Sequence, residues 1–207
     1  MTTAIIGLGN MGKGIASRLA GNTNLVVASR DEAATAAFAA TMKGVKAASV
    51  DDAIKAADVV FLSLPYASAL EVAAHPGLKG KIVVDISNPI KPDFSGLLFG
   101  HTTSAAEEIQ AAAKGAKVVK AFNTIFAGIF SGSAKSTASV KVFIAGDDAA
   151  AVDTVAALVG KAGFAVENTG GLDAARLLEP LGMLNIHLGY GLGKGTGIAP
   201  SWSNIGD

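Results

Sequence analysis

A short strand, Thr3-Ala4-Ile5-Ile6, runs directly into Gly7-Leu8-Gly9-Asn10-Met11-Gly12. The residues that follow place Met11, Ile15 and Leu19 on one face of a helix. A second strand, Leu25-Val26-Val27-Ala28, then ends in Ser29-Arg30. Strand, glycine turn, helix and strand in this order form a dinucleotide-binding unit, and no other feature restricts the chain as strongly. Each glycine has its own task. Gly7 permits the tight turn, Gly9 lets backbone N–H groups approach a pyrophosphate, and Gly12 lets the helix pack close to the strand. The helix N-terminus then turns unpaired N–H groups and the positive end of its dipole toward the phosphates. In a chain with 25 glycines the spacing alone is a weak signal, so the flanking strands carry the reading.

The end of the second strand selects the dinucleotide. A site for NAD usually places Asp or Glu there to bind the ribose 2′-hydroxyl. Here Ser29 and Arg30 stand in that position. A hydroxyl can donate to a 2′-phosphate, and a guanidinium can fork onto it or stack on adenine, so NADP is the expected cofactor. Asp31 is expected to cap the next helix.

The alternation continues. Strands are expected over 45–47, 58–62, 81–86, 117–121, 141–145 and 165–167, with helices over 32–41, 49–56 (opened by the S-x-x-D of Ser49 and Asp52), 67–74, 104–113, 149–162 and 174–188. The last helix is expected to bend near Pro180. This pattern predicts an α/β fold of Rossmann type, a doubly wound and mostly parallel sheet with a small helical C-terminal extension. Its 207 residues form a single nucleotide-binding domain in which 174–207 contribute a helix and a glycine-rich tail. Seventeen basic and seventeen acidic residues balance, which gives no electrostatic case for nucleic acid or an anionic membrane. The absence of cysteine excludes a thiolate nucleophile and a cysteine metal site. With no membrane-length apolar run and no signal-peptide layout, a cytoplasmic protein is expected, and its apolar composition suggests a homodimer.

Ligands of such sheets bind beyond the carboxyl ends of the strands. The residues there are Gly7 to Met11, Ser29-Arg30, Ser63-Leu64-Pro65-Tyr66, Ser87-Asn88-Pro89 and Phe122-Asn123-Thr124. None forms a carboxylate pair, a metal-ligand cluster or a nucleophilic triad, so the cleft reads as one that holds and orients. His101, in a glycine-flanked loop, is the single candidate for proton donation. His187 lies in an apolar helical stretch and is expected in the core or a subunit contact. Asp147-Asp148 is expected to cap a helix rather than bind metal. Glycine alternates at 189, 191, 193, 195 and 197, ahead of Trp202. That tail is expected either to be mobile or to act as a flap anchored by the tryptophan.

Taken together, these strand ends resemble the NADPH-dependent deazaflavin (coenzyme F-420) reductases. They also resemble the related oxidoreductase domain of the six-transmembrane epithelial antigen metalloreductases. The matching pieces include 5–19, Ser29-Arg30, 59–65, 82–89, Ser104-Ala105-Ala106-Glu107, Ala121-Phe122-Asn123-Thr124 and Gly146-Asp147-Asp148. The resemblance implies that the loop Gly7, Leu8, Gly9, Asn10 and Met11 binds the cofactor, with Gly9 to Met11 cradling the pyrophosphate, and that Ser29 and Arg30 hold the 2′-phosphate. It places Leu64 and Pro65 along the ribose, and Asn88, Asn123 and Ala127 around the nicotinamide. Hydride would pass between NADP(H) and a flat acceptor, coenzyme F-420 or a flavin such as FMN or FAD. Two departures stand out. Deazaflavin enzymes often open Gly-Gly-Thr-Gly where this chain has Gly7-Leu8-Gly9-Asn10, and they can carry His where this chain has Asn123. The glycine spacing also resembles β-hydroxyacid dehydrogenases and pyrroline-5-carboxylate reductases, whose long helical C-terminal regions have no counterpart here. A non-catalytic NADP(H) sensor is the third reading.

Overall fold

The computed structural model describes residues 1–202 and residue 205. One sheet carries β1 (Thr2–Ile6), β2 (Asn24–Ala28), β3 (Val45–Ala47), β4 (Val59–Leu62), β5 (Ile82–Asp85), β6 (Lys117–Lys120), β7 (Lys141–Gly146) and β8 (Ala165–Asn168). Their spatial order is β3-β2-β1-β4-β5-β6-β7-β8. The first six strands follow the dinucleotide-binding order, with the crevice at the reversal between β1 and β4. All pairings are parallel except β6 with β7. Every strand anticipated from the sequence forms.

The helices are α1 (Asn10–Leu19), α2 (Glu32–Ala40), α3 (Val50–Ala56), α4 (Tyr66–Ala73), α5 (Ala105–Ala112), α6 (Ala134–Thr137), α7 (Ala149–Lys161) and α8 (Ala175–Ile186). Alternate strand residues face opposite sides of the sheet. Ile5, Val27, Phe61, Val84 and Val119 pack under Ile15 and Leu19 of α1 and Val155 and Val159 of α7. Ile6, Val60, Leu62, Val83 and Val118 pack under Ile54 of α3, Ala69 of α4 and Ile109 of α5. Each such aliphatic side chain, fully buried, contributes about 1.5–3 kcal/mol, and the alanines on the helices allow close approach to the sheet.

Local signals start the helices where the sequence placed them. Asp31, Ser49, Ser104 and Asp148 each accept a hydrogen bond from the third residue of their helix. Asp148 also pairs with Lys117 at 2.9 Å, which holds its carboxyl below the ordinary aspartate range. The antiparallel β7 has a topological cause. Residues 121–140 contain only a 3-10 turn, Ala127–Ser131, and the four-residue α6. No helix there is long enough to carry the chain back across the sheet, so β7 returns from the opposite end.

The C-terminal segment departs from its expected outline. It opens with a 3-10 turn, Leu172–Ala174, and α8 runs without interruption through Pro180. A π-helical turn, His187–Gly191, then continues it. Pro180 lacks an N–H for the Arg176 carbonyl, which lies in the first turn, so only one bond near the helix start is lost. The tail folds back on this helix. Lys194 and Gly195 donate their N–H groups to Leu188 and Gly189 at 3.1 Å, using left-handed backbone at Gly193 and Gly195. Trp202 packs edge-on against Phe143, 5.1 Å between ring centres.

Candidate active site

The glycine loop has the geometry its spacing implies. Gly7 sits at φ +98°, and a Cβ there would lie 2.3 Å from the Ser63 carbonyl at the end of β4. A Cβ on Gly12 would lie 1.9 Å from the Gly7 carbonyl, so α1 is held against its own loop. Gly9 has an ordinary φ, and nothing lies within 4 Å of the place where its Cβ would be. That open space is at the N-terminus of α1, where no side chain caps the helix and no acidic residue occupies the first turn. The first amides of α1 therefore have no side-chain acceptor, the condition a pyrophosphate seat requires.

Beyond β2, the half-buried Ser29 hydroxyl shares a 2.7 Å hydrogen bond with Thr35. Arg30 is exposed, and among the described residues no carboxylate pairs with it. After β4, Leu64 is half-buried while Pro65 is exposed at the start of α4.

Past these groups the crevice opens into a cavity of about 790 Å³. Asn10 and Met11 line it from α1, Asn88 from the end of β5, and Asn123, Thr124 and Ala127 from the end of β6. Gly182, Asn185, His187 and Tyr190 close it from the C-terminal helix and its π-helical turn. Phe122 turns the chain out of β6 in a left-handed conformation, φ +61°. Such backbone is strained for an aromatic residue, and surrounding structure must hold it. Phe61, Phe130 and Phe164 do so, with ring centres 6.1–6.3 Å from that of Phe122.

Next to this turn, two asparagines clasp each other. Asn123 Nδ2 donates to Asn88 Oδ1 at 2.9 Å, and Asn88 Nδ2 donates to the Asn123 carbonyl at 2.8 Å. Asn123 Nδ2 also reaches the Leu178 carbonyl of α8 at 2.9 Å. With both amide hydrogens engaged, Asn123 Oδ1 is buried and has no protein partner, as is the Thr124 hydroxyl. A buried polar atom left without a partner is costly, so these oxygens fit a ligand bearing N–H donors, such as a nicotinamide carboxamide.

Beneath the asparagines lies a charged cluster that strand-by-strand reading passes over. Lys120 and Asp85 are fully buried and Glu179 nearly so. Lys120 Nζ donates to Asp85 Oδ2 at 2.7 Å, Glu179 Oε1 at 2.8 Å and the Ser87 carbonyl at 2.5 Å. Glu179 also accepts the N–H groups of Ala105 and Ala106, the first two residues of α5, at 3.0 and 3.3 Å. Burial raises the Glu179 carboxyl above its ordinary range, with Lys120 opposing the shift. Tyr66 is raised as well, by burial first and then by the negative charges of Glu108, Glu179 and Asp85.

The structure therefore gathers Asn10, Met11, Asn88, Asn123 and Ala127 around one cavity, with Gly7, Leu8, Gly9, Ser29, Arg30, Leu64 and Pro65 along the crevice leading to it. His101 is exposed in the loop after β5 and is not among the residues lining the cavity. His187 is exposed on the cavity wall rather than in the core, because α8 turns Gly182 and Asn185 inward and leaves His187 on the side of exposed Leu184. Asp85, Lys120 and Glu179 each interrupt an apolar run, the one sequence signal that could have marked them.

A family model described as NADP oxidoreductase coenzyme F-420-dependent matches residues 2–89. An F-420-dependent NADP reductase of Methanocaldococcus jannaschii is 34% identical, the alignment covering 96% of this chain and 97% of that protein. The metalloreductase STEAP3 of Rattus norvegicus is 31% identical over 86% of this chain, which spans only 35% of that longer protein. Among solved structures, a putative F-420-dependent NADP reductase of Arthrobacter sp. FB24 superposes with a TM-score of 0.84 at 29% identity, covering 99% of this chain and all of that one. Sequence kinship along the whole chain and a glycine crevice shaped for a dinucleotide agree: the protein belongs to the family of coenzyme F-420-dependent NADP oxidoreductases.

Proposed function

We propose that this protein passes hydride between NADP(H), seated from the glycine loop to the asparagine pair, and a deazaflavin or flavin ring admitted to the 790 Å³ cavity. The observation that carries the reading is the composition of that cavity. Phe94, Phe126, Tyr190, Met183 and Ile86 supply broad apolar walls, Asn88, Asn123 and Thr124 bring polar groups from the ends of β5 and β6, and Asn10, Asn185 and His187 add others from α1 and the C-terminal segment. Such a space accepts a flat ring between apolar walls, with a few polar groups to set its orientation.

The nicotinamide supplies the hydride chemistry when bound. The protein's residues do the positioning. Amides at the N-terminus of α1 hold the pyrophosphate, while Arg30 and Ser29 offer charge and hydroxyl to a 2′-phosphate. Asn123 Oδ1 fixes the rotation of the carboxamide, so that one ring face turns to the cavity. The apolar walls exclude water from the transfer.

No helix among the described residues is long and apolar enough to cross a membrane. The proposal places the reaction in the cytoplasm, and exposed Leu177 and Leu184 on α8 support a homodimer.

Anaerobic oxidation of NADPH by the purified protein tests this directly, with coenzyme F-420, FMN and FAD as acceptors and NADH in parallel. Rapid turnover with F-420 and NADPH alone is expected. Turnover with flavins only would move the acceptor assignment to the metalloreductase side of the family. Tight NADPH binding without turnover on any acceptor would refute the transfer and favour a sensor.

A further inference from the structure

The buried cluster at Lys120 carries more negative charge than its structural role requires. One carboxylate would neutralise the ammonium, yet Asp85 and Glu179 both bond it, at 2.7 and 2.8 Å. Every hydrogen bond to the Glu179 oxygens comes from a donor, Lys120 Nζ or the Ala105 and Ala106 amides. Asp85 Oδ1 likewise accepts the Ser87 N–H at 2.9 Å. Both groups are therefore bonded as carboxylates, and the cluster has one excess negative charge, offset in part by the positive end of the α5 dipole at Glu179. Buried charge of this kind is rarely the cheapest way to hold a core together.

Its location suggests what it does. Lys120 bonds the Ser87 carbonyl, and the next residue is Asn88. Glu179 follows Leu178, whose carbonyl takes Asn123 Nδ2. One turn further along α8, a Cβ on Gly182 would lie 2.8–2.9 Å from the Asn123 carbonyl and the Asn88 amide. The cluster and the asparagine pair thus share β5, β6 and α8, with the charge directly behind the groups that face the nicotinamide.

We propose that Lys120, Asp85 and Glu179 form an electrostatic positioning centre whose excess negative charge favours oxidised nicotinamide over reduced. The inference rests on the NADP(H) reading of the crevice. Hydride leaves the dihydronicotinamide with both electrons of its C–H bond, and the ring gains one positive charge. The acceptor ring gains the hydride and then one proton from water. Negative charge held in the buried cluster stabilises the product cation more than the uncharged reduced ring, so the bound cofactor becomes a stronger hydride donor.

The test is the ratio of two binding constants, which a merely structural role would leave unchanged. Kd values for NADP+ and NADPH are measured separately by calorimetry on the wild type and Glu179→Gln. The Kd ratio of NADP+ to NADPH is expected to rise about tenfold in the variant, the size of one unit charge removed at roughly 10 Å with an effective dielectric near 20. Asp85→Asn removes the same charge from the other side of the ammonium and must shift the ratio in the same direction. An unchanged ratio in a variant that binds both forms overturns the proposal. So does failure of both variants to fold, since the cluster is then a structural clamp. A wild type that binds neither nucleotide would instead refute the cofactor reading itself.

Discussion

Replacing Gly9 and Gly12 separately by alanine should give opposite results, although both add one methyl to the same loop. At Gly9 the backbone, φ −71° and ψ −172°, is open to any residue, and the new methyl meets nothing within 4 Å. Alanine there narrows the unfolded ensemble and should stabilise the protein by about 0.4–1 kcal/mol. For a chain of this size that raises Tm by about 1–4 °C. The same methyl projects into the space where a pyrophosphate would approach the helix amides. Loss of one charge-assisted hydrogen bond, about 1.5–3 kcal/mol, should weaken NADPH binding roughly 10- to 100-fold. At Gly12 the methyl would lie 1.9 Å from the Gly7 carbonyl and 2.9 Å from Ser63 Oγ. The loop must move, at a cost of about 1–3 kcal/mol or more, so Tm should fall by several degrees. Circular-dichroism melts and calorimetric titration with NADPH read both effects. A Gly9→Ala protein that binds NADPH like the wild type would refute the assignment of the pyrophosphate seat. A Gly12→Ala protein that melts like the wild type would refute the packing argument.

Three further expectations follow from single residues. Phe94 lines the cavity, is exposed, and holds φ at +58°, so Phe94→Gly should gain about 1 kcal/mol in stability while raising KM for the acceptor and leaving KM for NADPH unchanged; a loss of stability would contradict the strain. Arg30→Ala should weaken NADPH binding about 10- to 100-fold without changing NADH binding, and equal losses for the two nucleotides would remove Arg30 from the 2′-phosphate. Arg176 forks onto Glu107 at 2.9 and 2.5 Å, which holds the Glu107 carboxyl below its ordinary range. A lowered folded-state value means stabilisation that is present above the unfolded carboxyl value and is lost as pH falls through the folded one. Arg176→Ala should therefore lower Tm at neutral pH and converge with the wild type in acid, and a deficit independent of pH would show that the arginine acts only through packing.

The local half of this architecture is legible because local rules produce it. Short continuous apolar runs mark the central strands, which are buried on both faces, and Asp31, Ser49, Ser104 and Asp148 mark helix starts through hydrogen bonds three residues ahead. Gly7, Gly9 and Gly12 could be given separate roles because each depends on backbone shape or on its neighbour within a few residues. The direction of β7 was harder to read. Its residues are as apolar as those of a parallel strand, and only the missing crossover helix in 121–140 reverses it. His187 was expected in the core or in a subunit contact, and the core is excluded because Gly182, Asn185 and Gly189 take the buried face of the helix while His187 lies on the side of exposed Leu184.

By itself the sequence determined the strand-turn-helix entry, the doubly wound sheet and the cation beside the second strand, since each arises from residues close together in the chain. The tertiary structure alone decided that α8 would fold over the ends of β5 and β6 to make a cavity. It also decided that Lys120 would meet Asp85, 35 residues before it, and Glu179, 59 residues after it. Charges in separate apolar runs give no sign of their partners. What pairs them is the cost of burying any one of them alone, and that cost exists only once the chain has closed around them.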